Sequence, residues 1–141
     1  MTSSSACWAA FGRVLEAEYS MPELMPVHRF SVDAYAVQHP GDPADRRALQ
    51  SVGLHLARLW RQLEHPMPPA ETNEVMKGFA ARKETLISLS PPPRFTITVA
   101  DVAPYAGTSA HGQKTLAWAR AAWSDWSMHH AYIRRWAAGC E

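Results

Sequence analysis

The sequence predicts a mainly α protein: one domain, a bundle of four to five helices, and one short extended segment near residues 94–100. Three observations carry this expectation. Apolar residues recur at three- and four-residue spacing along most of the 141 residues. Proline-rich turns punctuate those periodic stretches at "SMPELMP", "HPGDP" and "PMPP". Hydrophobic residues make up 47% of the chain, enough for a single substantial core at this length.

Each element has its own signal. Ser3 to Ser5 supply capping hydroxyls for a first helix over about 6–19, in which Trp8, Phe11, Val14 and Leu15 form the apolar face. Pro26 suits the first turn of a second helix that runs to His39, where Pro40 disfavours helical geometry for its predecessor. "PADRRALQSVGLHLARLWRQLEH" follows as a third helix with Leu49, Val52, Leu56, Leu59, Trp60 and Leu63 on one side. A shorter fourth helix, about 72–83, carries Val75, Met76 and Phe79. In "SPPPRFTITVADV", alternation of Phe95, Ile97 and Val99 with threonines reads as extended. From about Ser109 to Ala138 the pattern is that of one long helix ended by Gly139, with Leu116, Ala119, Trp123, Trp126, His130, Ile133 and Ala137 along its seam.

Composition narrows the function classes. The formal charge is +1, from 14 basic and 13 acidic residues, so no broad field favours nucleic acid or an anionic membrane. No apolar run approaches the roughly 18 to 20 residues of a membrane span, and no signal peptide is recognisable, so the expectation is a cytoplasmic protein. Cys7 and Cys140 make neither a disulfide framework nor a metal knuckle, and are read as free thiols. No glycine-rich phosphate loop is present, which argues against a nucleotide cofactor. The tryptophans Trp118, Trp123, Trp126 and Trp136 crowd into one segment and are read first as core.

Polar residues inside the second helix carry the chemistry. At about 100° per residue, His28, Val32, Tyr35 and His39 share a stripe about 60° wide, with Val27, Phe30, Ala34 and Val37 opposite. A helix apolar on two sides is expected to be central. His28 and His39 stand about 16 Å apart along the axis, too far for one metal ion. His39 is read as a cap of its helix's C-terminus. A tight antiparallel turn at "HPGDP" would level His28 with His55, Asp33 with Gln50 and His39 with Ala44. His130 on the last helix completes a candidate metal set of His28, His55 and His130, with His129 as the replacement if the seam is rotated. Three imidazoles with an open position suit one divalent transition metal, zinc, iron or nickel. Asp33, Tyr35 and His129 are the candidate catalytic residues; Glu16 or Glu18 could orient a ligand. His65 and His111, at helix ends, are read as surface or capping groups.

Longer stretches of the chain resemble a known family. "EYS", "VDAYAVQHPG", "RRALQSVGLHLARL", "PPP" followed by "ITVADV", and "WARAAWSDWSMHH" with "IRRW" resemble the bacterial proteins called domain of unknown function 5946, from about Cys7 to Trp136. The resemblance implies a small, mostly helical protein and draws attention to His28, Asp33, Tyr35, Gln38, His39, Gln50, His55, Asp101, His129 and His130. It implies no activity. A looser likeness of architecture is to DinB-type helical bundles, in which histidines from different helices hold a metal.

The expectation is therefore a metal-dependent enzyme acting on a small molecule by hydrolysis, rearrangement or oxygen chemistry. The alternatives are a non-catalytic module that forms a homodimer or binds a partner through its tryptophan-rich helix, and a metal-free enzyme with a His/Asp acid–base pair in a tryptophan-lined pocket.

Overall fold

The computed structural model of the chain describes residues 4–140; Ser3, one of the expected capping serines, lies outside them. Seven α-helices follow one another among the described residues: α1 Ser5–Ser20, α2 Met25–Val37, α3 Arg46–Glu64, α4 Pro69–Ala81, α5 Val99–Val102, α6 His111–Asp125 and α7 His130–Ala138. No strand occurs among them. The helical class is as expected, with more helices than expected and for two identifiable reasons.

First, the region expected to be extended starts a helix instead. Thr98 and Asp101 form a reciprocal capping box, satisfying backbone N–H groups at the start of α5, so the threonines act as a helix signal and not as strand formers. Second, the long C-terminal helix is broken. Its regular bonding ends at Asp125, a single 3₁₀ turn spans Ser127–His129, and α7 restarts at His130. At the break, Trp126 is fully buried and donates its indole N–H to the Val37 carbonyl at 3.2 Å. Asp125 accepts from the Thr96 backbone and hydroxyl at 2.8 and 2.6 Å. Tertiary partners at two adjacent residues thus outweigh the seam's periodicity.

Helix α2 is central, as its two apolar sides require: it packs against α1, α3 and α6. Ser4 caps α1 by accepting from the Cys7 backbone, and Asp45 caps α3 by accepting from Arg47. Trp118, Trp126, Phe79, Leu56, Leu59 and Ile133 are fully buried in one hydrophobic core to which all seven helices contribute. Burying side chains of this size contributes about 1.5–3 kcal/mol each. Cys7 and Cys140 are unbridged. Among the described residues no helix is long and apolar enough to cross a membrane.

Candidate functional site

One of two fully buried carboxylates among the described residues is Glu18. It lies on α1 in the sequence Phe11, Val14, Glu18, the same helical stripe as two core residues, and is fully buried. A carboxylate taken out of water requires several donors. Three are present. His28 on α2 donates from Nδ1 to Oε1 at 2.9 Å, and His111 on α6 donates from Nε2 to Oε2 at 2.9 Å. Ser31, one turn beyond His28, donates its hydroxyl to Oε2.

The tautomers follow from the partners. The Gly107 backbone N–H donates to His111 Nδ1 at 3.0 Å, so neutral His111 carries its proton on Nε2, facing Glu18. Gly107 reaches this position in a turn with φ of +76°, where glycine carries no Cβ penalty. His28 is the reverse case: its Nδ1 faces Glu18, which leaves Nε2 with a lone pair when the ring is neutral. That nitrogen stands 3.4 Å from the hydroxyl of the exposed Tyr19.

His28 also lines a groove of about 840 Å³ between the α2 N-terminus, the end of α3 and the start of α4. Its walls include Met25, Pro26, Phe30 and Met67, and its polar lining includes His28, Arg29 and Gln62. Arg29 donates one N–H to Asn73 on α4. Gln62 donates its amide N–H groups to Asp33 Oδ2 at 2.7 Å and the Arg58 carbonyl at 2.9 Å, so its carbonyl oxygen is the acceptor that these two bonds do not use.

Behind Gln62 lies a second buried carboxylate. Asp33, fully buried, has Arg58 Nε at 2.9 Å from Oδ1 and His55 Nε2 at 4.0 Å. Burial lifts Asp33 to about 7, against the opposing pull of Arg58 and of the Gln62 amide. Burial likewise pushes His55 down to about 4, although its Nδ1 donates to the Ser51 carbonyl at 2.6 Å.

The metal set read from the sequence does not assemble. His28 turns to Glu18, His55 to Asp33 and Ser51, and His130 stacks on Trp123 at 3.6 Å between ring centres while donating to the Trp123 carbonyl at 2.7 Å. Burial also holds His130 below its ordinary value. Among the described residues no three or more His, Cys, Asp or Glu side chains are placed to hold a metal ion. The expected levels of α2 and α3 fail for a related reason. Residues 38–45 form an open loop instead of a tight hairpin turn, and Asp33 meets Arg58 and Gln62 in place of Gln50.

The three expected catalytic residues fall in separate surroundings. Asp33 belongs to the ion-pair cluster behind the groove. Tyr35 is buried between Phe11 and His39, each ring 4.0 Å away, and His39 donates to the Tyr35 carbonyl as the cap expected of it. His129 donates to the Ser90 carbonyl at 2.8 Å, fastening a loop to the α6–α7 junction. Of the remaining motif positions, Gln38 accepts from the Trp118 indole and donates to the Ile97 carbonyl. Asp101 completes the α5 cap. Of the C-terminal tryptophans, Trp118, Trp123 and Trp126 are buried in the core and Trp136 packs against it, and the groove beside His28 is walled by proline, methionine and phenylalanine instead.

His111 was the residue missed. Its place at a helix start hid a burial that Thr108, bonded to its backbone N–H, and the Gly107 turn make affordable. Glu18 carried a readable signal, an acid three and four residues along a stripe otherwise made of Phe11 and Val14.

No curated protein and no solved structure matches this chain. The model of the family of unknown function (DUF5946) matches residues 1–127, and the chain belongs to that family.

Proposed function

We propose that the protein is an enzyme acting on a small organic acid, with His28 as general base and Glu18 as the group that orients it. The reading rests on one observation: a fully buried carboxylate holds His28 by Nδ1, and His28 is among the residues that line the groove. A carboxylate that fixes an imidazole tautomer, and stabilises the imidazolium formed when Nε2 takes a proton, is the working arrangement of histidine bases. Ser31 and His111 keep Glu18 from turning away.

The groove supports the substrate class. Arg29 supplies a cationic fork for a carboxylate or phosphate, and the Gln62 carbonyl calls for a hydroxyl or amide donor. Proline, methionine and phenylalanine walls suit an apolar body. In this scheme His28 Nε2 removes a proton from the substrate or from a water beside it.

The test is turnover of a panel of small hydroxy and acylamino acids by the purified chain. His28→Gln should lower turnover about 10²- to 10⁴-fold while binding persists, and Arg29→Gln should weaken binding. Turnover unaffected by His28→Gln would refute the assignment. A second reading has one observation in its favour: Trp8, Tyr19 and Met25 are exposed large side chains on and near α1. A non-catalytic module would use that surface, because the tryptophan-rich segment is spent in the core.

A further inference from the structure

We infer that a second ligand site, separate from the His28 groove, lies beneath the Pro91–Pro92–Pro93 arch and takes a compact apolar carboxylate. The cavity there measures about 310 Å³, near the lower end of small-molecule sites, and is formed by the arch, the loop after α2 and the first turns of α3.

The arch is built as a fixed roof. One end is fastened where His129 donates to the Ser90 carbonyl, the other where Thr96 donates twice to Asp125 and Gln38 donates to the Ile97 carbonyl. Between these ties run three prolines, which have no N–H and so leave no donor unmet against an apolar interior. Leu49, Val52, Leu89 and Phe95 supply the apolar lining, and Gln38 is tied on both sides by Ile97 and Trp118. Polar recognition deep in the cavity is therefore weak, and shape selects a small aromatic or branched body. Among the described residues that line it, Arg94 is the one charged side chain, and it is exposed. A ligand seated with its apolar end inward would meet that guanidinium with an anionic group.

The experiment titrates the intact chain with phenylacetate and, separately, with neutral phenylacetamide, following backbone amide signals by NMR. Saturable shifts are expected at Leu49, Val52, Ser88 and Phe95, with phenylacetate about three- to tenfold tighter than the amide. Arg94→Gln should erase that preference, Leu49→Trp should fill the cavity and abolish the shifts of both ligands at these four residues, and Lys77→Gln, an exposed change on α4, should change neither. No saturable binding, shifts centred on Met25 and Phe30, or a preference that survives Arg94→Gln would each overturn the inference. Should Leu49→Trp fail to fold, Arg94→Gln, an exposed change, decides alone.

Discussion

Glu18 on α1 and His111 on α6, 93 positions apart, meet at 2.9 Å with both side chains fully buried. This bond joins the first long helix to the sixth and fixes the carboxylate that holds His28. Removing the acid strands three donors at once. Glu18→Ala is expected to destabilise the fold by about 3–5 kcal/mol, and Glu18→Gln by less, because an amide oxygen still accepts from one or two donors. Urea unfolding of the two variants beside His28→Gln checks this; His28→Gln, at a partly exposed position, should cost about 1 kcal/mol.

Asp33 and His55 give opposite pH signatures. Asp33 is raised in the folded state from 3.8 to about 7, so its contribution is full below pH 4 and is lost as pH rises through 7. His55 is lowered from 6.5 to about 4, so its contribution is full above 6.5 and is lost as pH falls through 4. Between about 4 and 6.5 the two slopes oppose and stability is expected to be nearly flat in this respect. His55→Gln should expose the Asp33 slope, with stability rising on acidification from pH 7. Asp33→Asn should expose the His55 slope, with stability falling from pH 6.5 downward. Denaturant midpoints across pH 4–8 read both directions.

The loop that carries the prolines is held by Asp125 and His129, not by a sheet partner. Asp125→Ala removes two hydrogen bonds to Thr96 and His129→Ala removes one to Ser90. Losses of about 1–3 and about 1 kcal/mol are expected, with faster amide exchange confined to residues 88–97. Exchange spread evenly over the helices would contradict this local role.

With His28 held by Glu18, His55 by Asp33 and Ser51, and His130 on Trp123, no shared ligand set is left among the described residues, and chelation is not expected to matter. Overnight dialysis against EDTA is expected to leave the thermal midpoint within about 1 °C, far below the several degrees that about 1 kcal/mol would move it in a chain of this size. A drop of several degrees reversed by zinc would restore the metal reading.

The positions of α1 to α4, the centrality of α2 and the burial of Trp118, Trp123 and Trp126 were legible because each rests on spacing within one segment. The site was legible only in part. His28 and Asp33 stand out as polar residues within a buried helix, and Glu18 as an acid on an apolar stripe. Their partners were not readable, because partner choice depends on the relative slide of α2 and α3, which the 38–45 loop sets, and on α6 ending at Asp125. One shift of level exchanged His55's neighbour from His28 to Asp33. His129 and His130 likewise changed meaning once the helix broke between Asp125 and His130: one became a loop fastener, the other a ring stacked on Trp123.

General-base chemistry at His28 requires that Nε2, and not Nδ1, carry the lone pair of the neutral ring. Long-range ¹H–¹⁵N correlation of the histidine rings, recorded at alkaline pH where neutral rings dominate, reads this directly. The expected result is a fixed Nδ1–H tautomer for His28 and a fixed Nε2–H tautomer for His111, with Glu18→Gln releasing the first into exchange between tautomers. A His28 ring that carries its proton on Nε2, or that already averages in the unmodified chain, would contradict the general-base assignment.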